Sequence, residues 1–167
     1  MELSPVNNVS EDEARSSLTR CCGASRWVQK MVAARPFASV DDLFAQSEKF
    51  ADELNDEDWK ESFRHHPKIG DMETLRQKFN TAKGWEAGEQ SGAASASDAV
   101  LKELQEGNID YENKFGYIFI VCATGKSAEE MLAILKSRLP NDPASEIKIA
   151  AGEQRKITKL RLEKLCQ

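Results

Sequence analysis

Apolar residues recur at helical spacing along most of this chain. Trp27, Val28, Met31 and Val32, for example, fall on one face of a helix with about 3.6 residues per turn. Residues that favour the N-cap position precede the apolar runs, and several are followed by acidic residues, which the helix dipole favours in a first turn. These candidate caps are Ser10, Ser39, Asn55, Ser97 and Ser127. The pattern predicts about seven helices.

Two stretches depart from this pattern. Residues 116–123 are short, aromatic and β-branched, as in a strand. Residues 84–97 are rich in Gly, Ala and Ser and are predicted to form a loop. Because one strand cannot build a sheet, the fold class is predicted to be all-α: a single-domain helical bundle of about seven to nine helices over residues 1–167.

Prolines set two of the predicted helix boundaries. The helix that contains Trp59 is expected to end at His66, because Pro67 disfavours a helical conformation for the residue before it. Pro143 is expected at the first position of the last helix, which is predicted to continue to Leu165.

Composition and charge exclude several classes of protein. The 167 residues are 40% hydrophobic and 31% charged, which is ordinary for a soluble globular domain. The net charge of −5 argues against a nucleic-acid partner or an anionic membrane surface. No secretory signal and no run of ~20 apolar residues is present, so no membrane insertion is expected. The four cysteines form no CxxC pair, so we expect reduced thiols and no metal site.

The pair His65-His66, followed by Pro67, is the first candidate for chemistry. A histidine at a helix end, stiffened by a proline, can aim its ring into a pocket and exchange a proton near neutral pH. The alternative is a surface pair that caps a helix C-terminus.

Two further candidates come from later in the chain. Glu89 and Gln90 could hydrogen-bond a polar heterocycle, or could belong to a solvated loop. Arg161 lies on or beside the apolar stripe of the last helix. Its guanidinium would either extend to water or present a bidentate donor to a cavity.

Four segments occur in the order found in one family. They are HHPKIGD, the Glu-Gln of GEQSGA, KFGYIFIVCATGKSAEEML and AAGEQRKITKLRLEKL. Together they resemble the 2-oxo-4-hydroxy-4-carboxy-5-ureidoimidazoline (OHCU) decarboxylase family over nearly the whole chain. The opening CCGASRWVQKM resembles in particular the decarboxylase half of the plant allantoin synthases, also called transthyretin-like proteins.

The resemblance implies an activity and a set of site residues. It implies decarboxylation of OHCU to (S)-allantoin in urate breakdown, by a helical homodimer without metal or organic cofactor. His66 and Glu89 would be catalytic. The residues implied to bind substrate are Pro67, Gln90, Ile120, Val121 and Arg161. Many family members have a serine where this chain has Glu86, which places that substrate contact in question.

Other expectations concern the context of the chain. In plants the family fuses this domain to a C-terminal transthyretin-like hydrolase domain, which is not in this sequence. A peroxisomal or cytoplasmic location is expected, although the chain ends in Leu-Cys-Gln and not in a Ser-Lys-Leu type signal. The alternative function is a helical interaction module with a signalling kinase, such as a plant receptor kinase, as its partner. A helical metal-binding protein is disfavoured by the two histidines and scattered cysteines.

Overall fold

The computed structural model describes residues 1–67, 72–77 and 97–167. These residues form helices and connecting segments, with no strand among them, so the all-α prediction is confirmed. The helices are α1 (Ser4–Asn7), α2 (Glu11–Cys21), α3 (Ser25–Ala33), α4 (Val40–Asp52), α5 (Asp56–Arg64), α6 (Met72–Arg76), α7 (Asp98–Phe115), α8 (Ala128–Arg138) and α9 (Pro143–Leu165).

The predicted N-caps explain where the helices begin. Asn55 and Asp58 form a reciprocal capping box at the start of α5, with the Asp58 N–H 2.9 Å from Asn55 Oδ1 and the Asn55 N–H 3.1 Å from Asp58 Oδ2. The other four predicted caps are confirmed, and each accepts a backbone N–H from three residues ahead: Ser10, Ser39, Ser97 and Ser127. Pro143 is the first residue of α9, also as predicted.

The strand-like run at residues 116–123 forms neither a strand nor a helix. Gly116, at φ +84°, ends α7, and the chain then continues as an irregular segment. Its residues Tyr117, Ile120 and Cys122 are buried. The β-branched and aromatic composition therefore reflects burial of a non-helical connection and not pairing in a sheet.

The helix α5 ends two residues earlier than the sequence predicts. It stops at Arg64, and the N–H groups of His65 and His66 then bond to the carbonyls of Ser62 (3.1 Å) and Phe63 (3.2 Å). This tight turn places His66 just beyond the helix, immediately before Pro67.

The described residues divide into two compact units. The first comprises Met1–His66, Ile120–Cys122 and Ile147–Gln167. Within it, α3 packs against α2, α4 and α5. Its largest fully buried side chain is Trp27, whose indole N–H donates to the Ser47 carbonyl at 3.1 Å.

The second unit comprises the described residues within Pro67–Phe119 and Ala123–Glu146. Here α7 packs against α6 and α8, and Gly107 permits the close approach of α7 to Leu135 on α8. Tyr111 packs against the rings of Phe115, Tyr117 and Phe119, with ring centroids 4.6, 5.9 and 5.2 Å away. No helix in residues 1–67, 72–77 or 97–167 is long and apolar enough to cross a bilayer.

Candidate functional site

The imidazole of His66 is half-buried and lies against α9. Its Nε2 is hydrogen-bonded to Oε1 of Gln154, a side chain with no exposed surface. The turn after α5 therefore does more than cap a helix, because it seats the His66 ring on a buried partner from far along the chain.

A line of polar side chains follows one face of α9. Gln154, Thr158 and Arg161 are spaced by four and three residues, so they occupy neighbouring turns of the same face. The Gln154 amide donates to Thr158 Oγ1 at 3.1 Å, and the Thr158 hydroxyl donates to the Cys21 carbonyl at 3.2 Å. The hydrogen bonds thus run from the His66 ring to the C-terminal end of α2.

This environment lowers the pKa of His66 below the ordinary value of histidine. Burial is the main cause, because desolvation disfavours the charged ring. The hydrogen bond to Gln154 raises the pKa, while the positive charge of Arg161 and that of His65 lower it. The result is a neutral imidazole near pH 7, a form that can accept a proton.

The guanidinium of Arg161 is half-buried at the other end of this face. Its Nη1 donates to the carbonyl of Arg20, in the last turn of α2, at 3.0 Å. Within the described parts of the chain, no carboxylate lies within ion-pair distance of Arg161. The structure thus anchors one edge of the guanidinium on the main chain.

The segment Ile120–Cys122 lies in the same unit and is tied to α9. The Cys122 N–H donates to Glu153 Oε1 at 3.2 Å, and Glu153 also pairs with Lys156 at 2.6 Å. Ile120 is buried and Val121 is half-buried. Because Glu153 precedes Gln154, the main chain predicted to contact substrate is fixed to the helix that seats His66.

The thiols beside this face are poor nucleophiles. Burial raises the pKa of Cys21 to about 12, although the charge of Arg161 opposes that shift. Burial likewise raises the pKa of Cys22, whose Sγ lies 3.5 Å from Ser62 Oγ. Both are therefore protonated and neutral near pH 7, and they serve as apolar packing.

Gly23 follows these cysteines and touches the His65 side chain. A methyl group on Gly23 would overlap the His65 ring and would lie only 2.7 Å from His65 Cβ. The close approach explains why glycine stands at this position, and it connects the CCG segment to the turn that carries His66.

Some predicted site residues lie outside the described residues, namely Glu86, Glu89 and Gln90. The structure brings His66 and Arg161 to one helix face, and Pro67 follows His66 as an exposed residue.

Sequence reasoning missed Gln154 and Thr158. Their signal was their spacing, because they share a helical face with Arg161 on an otherwise apolar stripe.

The described residues contain no cluster of three or more His, Cys, Asp or Glu side chains arranged to hold a metal ion. All four cysteines are buried thiols.

Comparison with known families gives a match over almost the whole chain. The family model described as OHCU decarboxylase matches residues 7–163. The uric acid degradation bifunctional protein TTL of Arabidopsis thaliana is 37% identical over 157 residues, which cover 94% of this chain and 47% of that protein. The chain thus spans about half the length of this relative. The OHCU decarboxylase of Amia calva is 30% identical over 173 residues, covering 100% of this chain and 95% of that protein.

Solved structures agree with this match. An OHCU decarboxylase crystallised in the presence of (S)-allantoin superposes with a TM-score of 0.73 at 34% identity, covering 94% of this chain and 98% of that one. An (S)-allantoin synthase superposes with a TM-score of 0.72 at 17% identity, covering 100% of this chain and 54% of that one. The second likeness shows a shared fold.

Proposed function

Because the chain belongs to the OHCU decarboxylase family, we propose that it removes CO2 from OHCU and releases (S)-allantoin. The observation that carries the proposal is the position of the half-buried imidazole of His66, which is hydrogen-bonded to the face of α9 that also carries Arg161. Burial lowers the pKa of this ring, which favours the neutral form. The proposal covers this chain alone and not the other activity of the bifunctional relatives, since the chain spans about half of the Arabidopsis protein.

The substrate dictates what the protein must supply. OHCU carries a carboxylate and a hydroxyl on one ring carbon, and its neighbour carries the ureido group. When the carbon–carboxylate bond breaks, the electron pair moves into the conjugated ring as CO2 leaves. The hydroxyl then becomes the ring carbonyl, and the carbon that carries the ureido group gains a proton. The face that receives this proton decides the handedness of allantoin.

His66 is suited to the proton transfers. As a neutral ring it takes the hydroxyl proton, and as an imidazolium it returns a proton to the carbon beside it. The ring nitrogen that receives the electron pair takes its proton from solvent. A base fixed on a rigid helix reaches one face of the substrate, which favours a single enantiomer.

Arg161 is suited to binding. Its guanidinium can offer paired donors to the substrate carboxylate or ring oxygens, in a half-buried setting that strengthens charge-assisted hydrogen bonds. Main-chain groups of Ile120 and Val121, held to α9 through Glu153, would contact the ring. The roles proposed for Glu89 and Gln90 are to orient the ureido or hydroxyl hydrogens and to add a further hydrogen bond.

We also propose that the reaction needs no cofactor. The conjugated ring of OHCU accepts the electron pair itself, so that an external electron sink such as pyridoxal phosphate is not required by the chemistry. A homodimer and a peroxisomal location are further proposals, supported by the family resemblance alone.

The test generates OHCU from urate with urate oxidase and hydroxyisourate hydrolase, adds this chain, and follows dextrorotatory allantoin by circular dichroism. We expect the chain to accelerate its formation. In the His66→Asn variant the acceleration should fall by ~10²–10⁴-fold, the usual contribution of a positioned acid/base group. His65→Asn is the matched control and should keep most of the activity.

Near-normal turnover by His66→Asn would remove His66 from the mechanism. No acceleration by the wild-type chain would reject the decarboxylase proposal and favour the alternative, an interaction module for a signalling kinase. Far-ultraviolet circular dichroism of each variant verifies that the helices are intact.

A further inference from the structure

We infer that Gln154 sets the tautomer of His66, so that Nδ1 is the ring nitrogen that exchanges the proton. Gln154 is thereby a positioning residue that acts through His66. The catalytic half of this inference rests on the proposed function, whereas the tautomer itself is a property of the free protein.

The assignment follows from the direction of each hydrogen bond. The Cys21 carbonyl can only accept, so the single hydroxyl proton of Thr158 is committed to it, at 3.2 Å. Thr158 Oγ1 must then accept from Gln154, and only the amide nitrogen of Gln154 can donate, at 3.1 Å.

The same reasoning determines which ring nitrogen of His66 carries the proton. With its nitrogen turned towards Thr158, the Gln154 amide presents Oε1 to the His66 ring. That oxygen has no proton to give, so His66 Nε2 must carry one and donate it. In the neutral ring the lone pair is then on Nδ1, which becomes the atom able to accept a proton.

Burial prevents the opposite arrangement. Gln154 has no exposed surface and Thr158 is 5% exposed. If the Gln154 amide rotated by half a turn, Gln154 Oε1 would face Thr158 Oγ1, and the Thr158 proton could bridge them only by giving up its hydrogen bond to the Cys21 carbonyl. Because buried polar groups without partners are strongly disfavoured, the line of hydrogen bonds has one stable direction.

The first experiment reads the tautomer directly. Nitrogen-15 NMR of the uniformly labelled chain resolves the imidazole nitrogens, and the chain has two histidines, so His65→Gln assigns His66. Above the pKa of His66, we expect a protonated-type resonance for Nε2 and an unprotonated-type resonance for Nδ1. The reverse pattern would overturn the inference. This measurement uses no substrate, so it stands even where decarboxylation fails.

The second experiment removes the hydrogen bond by which Thr158 orients the Gln154 amide. Thr158→Val cannot accept from the Gln154 amide, which frees that amide to rotate and lets both tautomers of His66 coexist. We expect kcat to fall by about ten- to a hundredfold, less than in His66→Asn, with KM nearly unchanged. Thr158→Ser keeps the hydroxyl and should restore both the tautomer and kcat. Lys148→Gln, an exposed change on α9, is the control.

Thr158→Val with a single tautomer and wild-type kcat would reject the inference. A loss of kcat that Thr158→Ser fails to restore would count as structural damage and would also reject it.

The third experiment uses the pH profile. Gln154→Glu keeps an acceptor facing Nε2 but adds a negative charge, which raises the pKa of His66 against the lowering influence of Arg161 and His65. Activity that needs the neutral ring is lost as pH falls through that pKa, so the acid limb of kcat/KM should move to higher pH. An unmoved acid limb would contradict contact between Gln154 and the catalytic ring.

Discussion

Two networks of buried polar side chains differ in whether they include a titratable ring that is partly exposed to solvent. In the second unit, Glu146 is completely buried and accepts from Arg138 Nε at 2.9 Å, from Asn141 at 3.1 Å and from the Tyr111 hydroxyl. Every one of these partners lies within that unit. In the first unit, the line through Thr158 and Gln154 ends on a half-buried, titratable ring, that of His66.

The difference distinguishes a stabilising cluster around Glu146 from the proposed functional site around His66. Around Glu146 the negative charge meets the guanidinium of Arg138, which is 5% exposed and lies over the Tyr111 and Phe119 rings, at 5.7 and 4.7 Å from their centroids. Burial of Tyr111 and its bond to Glu146 raise the pKa of that hydroxyl, so it stays protonated. The Tyr111 hydroxyl therefore exchanges no proton near neutral pH, whereas Gln154 binds one nitrogen of the His66 ring and leaves the other for the proposed proton transfer.

The largest effect should come from breaking the Glu146 cluster. Glu146→Ala removes the buried carboxylate that pairs with the Arg138 charge, which should lower the free energy of unfolding by about 3–5 kcal/mol. Urea denaturation followed by circular dichroism measures the loss. His66→Asn, at the half-buried end of the other cluster, should cost less than Glu146→Ala while removing activity, because it removes one hydrogen bond to Gln154 and no buried ion pair.

An exposed acid–base pair provides the control for Glu146. Glu48 pairs with Arg155 at 2.6 Å, but its side chain is 54% exposed. Solvent screening limits such pairs, so Glu48→Ala should change the free energy of unfolding by less than about 1 kcal/mol. Equal losses in the two variants would contradict the argument that burial makes the Glu146 pair more stabilising than the exposed Glu48 pair.

A smaller effect is expected at the glycine beside the His66 turn. Gly23→Ala would overlap the His65 side chain, and the atoms it meets are close to the backbone, so the turn itself must shift. We expect a loss of about 1–3 kcal/mol from overpacking. We also expect a lower kcat, because the shifted turn would move the His66 ring away from its hydrogen bond to Gln154.

Gly152→Ala is the matched control, since nothing lies within 4 Å of a methyl group there and alanine favours a helix. Replacing His65 by glycine in the Gly23→Ala chain should restore kcat. Failure of that double variant to recover would show that Gly23 acts by some route other than the close approach to His65.

Local signals in the sequence predicted most of the fold. The N-caps at Ser10, Asn55 and Ser127, the proline that opens α9 and the all-α class depend on short-range patterns, and each is confirmed. The strand-like composition of residues 116–123 was misleading, because burial and pairing in a sheet select the same residue types. The predicted end of α5 was two residues too late. Pro67 sets the last position that the helix could reach, but it does not require the helix to continue that far.

The candidate site was only partly predictable. His66 and Arg161 carry recognisable chemistry, and the family resemblance singled them out. The spacing of Gln154 and Thr158 places them on the helix face of Arg161, but their contacts with His66 and Cys21 are long-range, and a single sequence does not display such contacts. The roles proposed for Glu89 and Gln90 stay predictions, because these residues lie outside the described parts of the chain.

The smallest of these effects should appear at the far end of the polar face of α9. Arg161→Ala removes a proposed substrate clamp and should raise KM about tenfold, equivalent to ~1.4 kcal/mol of binding, with a smaller change in kcat. It also removes a positive charge that lowers the pKa of His66. That pKa should therefore rise, and the acid limb of the pH profile should move to higher pH. Arg161→Lys keeps the charge but loses the paired donors, and should therefore raise KM without moving that limb. Steady-state kinetics across pH separate the two roles, and an unchanged KM in both variants would show that Arg161 does not bind the substrate.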